Sequence, residues 1–153
     1  MNDLVKPLPA DGSPHGKPRL LVVEDGAYLR QLLGEILHPD YEVVLTVDGE
    51  QAWQRAQAEP FDLVLSDVEM PNLDGIELTR RLRALARTAS VPIFLLSANN
   101  KLATLLRGFE AGADDFVLKP FRLEELLTRV RCRHRLCEMR RRMLLQPLAG
   151  AVH

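Results

Sequence analysis

Five short apolar runs, spaced roughly 20–30 residues apart, constrain this chain more than any other feature, because that spacing leaves room for a crossover helix each time. The runs are Arg19-Leu20-Leu21-Val22-Val23, Tyr41 to Leu45, Leu63-Val64-Leu65-Ser66 ending at Asp67, Val91 to Leu96, and Phe116-Val117-Leu118. Each is bounded by turn signals and reads as a strand buried on both faces. Pro92 has no N–H to donate and is expected at the start of its strand.

The intervening segments show helical periodicity. Ala27 to Leu37 carries Leu29, Leu32, Leu33, Ile36 and Leu37 on one stripe. A second helix is predicted from Asp48-Gly49 to about Ala58, with Ala52, Trp53 and Ala56 inward. Asp74 is the expected N-cap of a third, running from Ile76 to about Ala86 with Ile76, Leu82 and Leu85 inward. Leu102, Leu105, Leu106 and Phe109 mark a fourth, which Gly112 should stop. The last begins near Arg122, with Leu123, Leu126, Leu127 and Val130 inward. Strict alternation of strand and helix implies an α/β fold with a parallel sheet and helices on both faces. Right-handed crossovers leave few topologies. The expected one is the doubly wound, flavodoxin-like order 2-1-3-4-5.

In that order the polar residues closing the strands converge on one crevice: Glu24 and Asp25 after the first, Asp67 at the third, Ser97 at the fourth and Lys119 at the fifth. Three adjacent carboxylates repel unless something neutralises them. A hard divalent cation does so through oxygen ligands, and Mg²⁺ suits one or two carboxylates plus water. Lys119 adds a point charge for a phosphoryl oxygen and Ser97 a hydroxyl. This set points to phosphoryl transfer onto a carboxylate. No Gly-rich phosphate loop is present, so the phosphoryl group is expected from a donor protein or small phosphodonor.

Composition narrows the class without identifying it. The chain has 153 residues, 46% hydrophobic and 27% charged, with net charge −1, so nothing global points to nucleic acid. No apolar run reaches the roughly 20 residues of a membrane span, and no secretory signal is visible, which implies a cytoplasmic protein. Cys132 and Cys137 fit no redox or zinc spacing. His15, His38, His134 and His153 share no strand-end site and are expected to be exposed.

Val22-Val23-Glu24-Asp25, Asp67-Val68-Glu69-Met70-Pro71-Asn72-Leu73-Asp74-Gly75, Leu96-Ser97-Ala98 and Gly112-Ala113-Asp114-Asp115-Phe116-Val117-Leu118-Lys119-Pro120-Phe121 together resemble the receiver domain of the two-component response-regulator family. The resemblance covers about residues 18–135. It implies that Asp67 is the phosphoacceptor and that Asp25 and Asp67 hold Mg²⁺ (or Mn²⁺). Glu24 would act through water and Glu69 through its backbone carbonyl. It also implies that Lys119 contacts the phosphoryl group, that Lys119-Pro120 is cis, and that Ser97 and Phe116 form a switch pair. Ser97 stands where Thr is frequent, and Phe116, without a phenol, where Tyr is frequent. Glu69 and Asn99 resemble the positions that tune phosphoryl lifetime. The implied partner is a sensor histidine kinase or phosphotransfer protein, and the domain catalyses only its own phosphotransfer and dephosphorylation. A phosphorylation-independent interaction module on the same fold is the alternative.

The expected division is a flexible leader over 1–18, the receiver domain over 19–131, and an extended helix, linker and tail over 132–153, with Gln146-Pro147 ending the helix. Seven arginines and one acid, Glu138, lie between Arg129 and Arg142. A helix continued from Val130 would repeat apolar residues every seven, through Cys137 and Leu144, interrupted by His134 and Arg141. Direct nucleic-acid contact is not expected. Arg107, Glu110, Asp114, Asp115, Arg129 and Arg131 place both signs of charge on one face, so a homodimer is the expected assembly, with Val130, Leu136 and Cys137 as its apolar seam.

Overall fold

Strand and helix alternate without exception in the computed structural model, which describes residues 16–145. The elements are β1 (Arg19–Val23), α1 (Ala27–Leu37), β2 (Glu42–Thr46), α2 (Gly49–Ala58), β3 (Leu63–Asp67), α3 (Gly75–Ala84), β4 (Ile93–Ser97), α4 (Leu102–Ala111), β5 (Asp115–Leu118) and α5 (Leu123–Leu145). The strands pair in parallel, as the alternation implied, in the expected order β2-β1-β3-β4-β5. Leader residues 1–15 and the helix break expected at Gln146-Pro147 lie outside the described residues. Pro18, placed in the leader, is buried, and its carbonyl accepts from the Glu42 N–H at 2.9 Å.

Alternate strand residues face opposite layers. Leu20, Val22, Leu63, Leu65, Phe94 and Leu96 pack with Leu33 and Leu37 of α1 and with Leu126 and Val130 of α5. Leu21, Val23, Val64, Ile93 and Leu95 face Ala52, Ile76, Leu82 and Ala111 on the other three helices. Both faces of the sheet are therefore covered, which explains why the strands read as unbroken apolar runs.

Some boundaries differ from the sequence reading. β4 begins at Ile93, after Pro92, whose carbonyl accepts from Val64 at 2.9 Å. Residue 92 thus keeps its acceptor in the ladder although it lacks a donor. The third helix stops at Ala84, two residues early, and Leu85 is its extended C-cap rather than an inward residue. The Leu82 carbonyl that continued helix would have used instead accepts from the Leu85 N–H and the Thr88 hydroxyl. On α4 the packed side is Leu105, Gly108 and Ala111, while Leu102, Leu106 and Phe109 are exposed. Gly112 ends α4 with φ 114°, a left-handed conformation that favours glycine.

A close approach shapes the site end of the sheet. A Cβ on Gly75 would lie 2.1 Å from the Asp67 carbonyl oxygen, so only glycine lets the start of α3 pass behind β3. The Gly75 N–H donates to the Val68 carbonyl at 3.0 Å, and the Asp74 side chain caps α3 by accepting from Glu77 at 2.8 Å. The loop from Val68 to Asp74 is thereby tied at both ends.

Candidate functional site

Parallel pairing of β1 with the central strand β3 brings their ends side by side. Glu24, Asp25 and Asp67 present carboxylate oxygens within 4.8 Å of one another. Glu24 and Asp67 are buried, and Asp25 is exposed at the mouth. Lys119, following β5, reaches across to both buried acids. Its ammonium lies 3.3 Å from Glu24 Oε1 and 3.3 Å from Asp67 Oδ1. The hydrogen bond goes to Glu24, and the contact with Asp67 is an ion pair without hydrogen-bond alignment. The Lys119–Pro120 peptide is cis.

Charge within this cluster is not balanced. Burial, reinforced by the hydrogen bond to and the charge of Asp67, pushes Glu24 up to about 7. Burial also raises Asp67, opposed by a hydrogen bond from Glu24 and by Lys119. The Lys119 ammonium is disfavoured by burial, but the Asp67 and Glu24 charges outweigh this and raise its pKa. Two buried acids facing one ammonium leave negative charge that another cation can neutralise. Glu24 Oε2 and Asp67 Oδ1 are buried without a hydrogen-bond donor. Oxygen donors of this kind fit Mg²⁺ or Mn²⁺.

Ser97, at the end of β4, is fully buried, and its hydroxyl is turned toward Glu69 rather than Asp67. It donates to the Glu69 carboxylate and accepts from the Asn99 N–H at 2.9 Å. The resemblance gave Glu69 a metal contact through its backbone carbonyl and a place among the lifetime-tuning positions, and this side-chain contact with Ser97 is additional. Phe116 is buried on β5 with its ring 6.2 Å from that of Phe109. A Cβ on Gly108 would lie 3.0 Å from the Phe116 ring, which sits directly beneath α4. Beside the site, an open cleft of about 450 Å³ is lined by Glu69, Met70, Pro71, Asn99, Thr104 and Arg107, among others.

Sequence reasoning missed Arg30. From the first turns of α1 its guanidinium donates to the Glu24 and Asp25 carbonyls at 3.1 and 3.3 Å, fixing the loop that carries both acids. A cation one helical turn after an acidic pair was the available signal.

Several charges read as an interface are engaged within the chain. Asp114 pairs with Arg83 at 2.8 Å and accepts from the Ile93 N–H at 2.8 Å. Arg129 binds Asp115 and Glu125, each at 3.0 Å. Arg131 reaches Asp40, beyond the end of α1, at 2.5 Å, which removes it from the face carrying Arg107. The expected seam is also corrected. Val130 is fully buried, and Cys137 is half-buried with its thiol pKa raised by burial. His38 is exposed as expected, whereas His134 packs edge-on against Tyr41 with ring centroids 6.0 Å apart. His15 and His153 lie outside the described residues. Trp53 is half-buried against the core, with the Arg81 guanidinium 6.0 Å from its ring centroid.

The family profile described as Response regulator receiver domain matches residues 20–131. This chain belongs to that family. The receiver domain is 40% identical over 112 residues to Protein RcaC of Microchaete diplosiphon, covering 73% of this chain and 17% of RcaC. The chain spans about half the length, or less, of the curated relatives it matches. Its fold superposes on Vibrio cholerae chemotaxis response regulator CheY4 with a TM-score of 0.71 at 31% identity, covering 75% of this chain and 97% of CheY4. It likewise matches the receiver domain of sensor histidine kinase PA1611 from Pseudomonas aeruginosa, described with a magnesium ion in its active-site cleft. There the TM-score is 0.68 at 34% identity, over 73% of this chain and 93% of that one. Among the described residues, no helix of the receiver domain is long and apolar enough to cross a membrane.

Proposed function

We propose that Asp67 is the phosphoacceptor of this receiver domain, taking a phosphoryl group from the phosphohistidine of a sensor histidine kinase or phosphotransfer protein. The observation that carries this reading is Lys119, 3.3 Å from both Asp67 and Glu24 in a cluster of three carboxylates. Asp25, Asp67, the Glu69 backbone carbonyl and, through water, Glu24 would hold Mg²⁺ or Mn²⁺, which neutralises charge on the transferring group. A carboxylate oxygen of Asp67 attacks phosphorus as the P–N bond to the donor imidazole breaks, and Lys119 pairs with a phosphoryl oxygen.

Ser97 then turns from Glu69 to the phosphoryl group, and Phe116 repacks beneath Gly108. The readout is the surface of α4, β5 and α5, where Leu106, Phe109 and Leu118 are exposed. A second copy of the chain is the partner this reading assigns to that surface. Like its family, the domain acts as a switch and not on an external substrate. Residues 132–145 serve as a helical extension of the domain, and the protein works in the cytoplasm.

Intact-mass analysis after acetyl phosphate and Mg²⁺ tests the assignment. One added phosphate is expected in the parent and none in Asp67→Ala or Asp25→Ala. Equal labelling of Asp67→Ala would overturn it.

A further inference from the structure

The last helix continues well past the domain, and beyond Val130 its two sides differ sharply. Toward the domain it turns Val130, His134, Cys137 and Glu138, all at least half-buried. At 3.6 residues per turn, the opposite side collects Cys132, Leu136, Met139 and Met143, at steps of four, three and four. All four are exposed, Leu136 at 54%, Met139 at 53% and Met143 at 72%. That spacing is the apolar seam of a coiled coil.

The residues bordering the seam decide what can cover it. Arg133 and Arg140 line one edge, Arg135 and Arg142 the other. A second copy, parallel or antiparallel, would set arginine against arginine along both edges. Glu138 cannot relieve this, since it lies on the inward side, near His134 at 3.9 Å and Arg141 at 3.6 Å. Arg133 donates to the Asp114 carbonyl at 3.3 Å, which leaves its charge uncompensated. Among the described residues, Arg135, Arg140 and Arg142 have no acidic partner. The seam holds Met, Leu and Cys but no aromatic ring, a composition that repacks readily against other side chains and is poor for anchoring at a lipid interface.

We propose that residues 132–145 form a docking strip for an acidic amphipathic helix of a partner protein. Its apolar side chains cover Leu136, Met139 and Met143, and its flanking carboxylates meet the four arginines. Like charge along the edges excludes self-pairing while favouring this partner. The strip is independent of phosphorylation at Asp67.

A labelled three-heptad peptide, with Leu along its seam and Glu at the flanking positions, tests this against the full chain by fluorescence anisotropy. Binding that weakens with salt is expected. It should fall at least tenfold in Arg135→Glu/Arg140→Glu and in Met139→Gln/Met143→Gln, with melting temperatures unchanged because these positions are exposed. A peptide with Lys in place of Glu should not bind. The proposal is overturned if the Lys peptide binds equally well, if the arginine reversals leave affinity unchanged, or if the parent ignores the Glu peptide. It is also overturned if phosphatidylserine vesicles or duplex DNA bind the parent while the Glu peptide does not, or if Met139→Gln/Met143→Gln dissolves a dimer of the chain.

Discussion

The Ser97 hydroxyl is bonded to the Glu69 carboxylate, bridging the end of β4 and the loop after β3. A fully buried hydroxyl is thus committed to an acid two residues beyond Asp67 instead of facing Asp67 itself. In the proposed switch, turning toward a phosphoryl group breaks this hydrogen bond to a carboxylate, worth about 1.5–3 kcal/mol at most and less because Glu69 is exposed.

Replacing Glu69 with Ala removes that restraint and one negative charge near the phosphoryl position. Affinity for beryllofluoride with Mg²⁺, followed by thermal shift, is expected to rise about 3–10-fold. Unchanged affinity would show that the contact does not oppose the switch.

Lys119 compensates two buried carboxylates, so Lys119→Ala leaves both uncompensated. A loss of roughly 1–3 kcal/mol is expected in metal-free buffer by urea denaturation. The variant should keep its far-ultraviolet circular dichroism but lose the thermal response to beryllofluoride. Asp67→Asn, which removes one of the crowded charges, should instead stabilise the metal-free protein by about 1–2 kcal/mol.

Glu24 supplies a pH dependence whose sign can be worked out. Its pKa is raised from 4.5 to about 7, so between these values the folded chain binds more protons than the unfolded one. The stability tied to that proton is present below pH 4.5 and lost as pH rises through about 7. Melting temperature in EDTA should therefore fall across this window, by the equivalent of roughly 1–3 kcal/mol. Mg²⁺ at the proposed site would take the proton's place, so saturating Mg²⁺ should flatten the fall and Mg²⁺ affinity should rise with pH over the same range. A Glu24→Gln variant should lose the dependence in both measurements.

Gly75→Ala forces a methyl group to within 2.1 Å of the Asp67 carbonyl oxygen unless α3 or β3 moves. A cost of roughly 1–3 kcal/mol or more is expected from overpacking. Phosphorylation by acetyl phosphate should slow as well, since the displaced backbone carries Asp67, the proposed acceptor. Ala at Gly26, whose added Cβ would meet only the Glu24 side chain at 3.3 Å, serves as the milder control.

Local pattern alone determined most of the architecture. Apolar runs of strand length, helical stripes between them and an N-cap at Asp74 are properties of neighbouring residues, and parallel pairing follows once the connections are long enough for helices. The convergence of Glu24, Asp25, Asp67 and Lys119 was legible for the same reason: each ends a strand, and strand order places those ends together. What only the tertiary structure decided is which partner each long polar side chain takes. Ser97 bonds Glu69, Arg30 holds the Glu24 and Asp25 carbonyls, and Asp114 and Arg131 find Arg83 and Asp40 across 31 and 91 residues of sequence. A flexible charged side chain chooses among everything within reach, and what lies within reach is set by how helices pack on the sheet. The last helix shows the same division. Its periodicity promised an apolar seam, but packing of Val130 and His134 against the domain turned that face inward and left Leu136, Met139 and Met143, edged by arginines, facing outward.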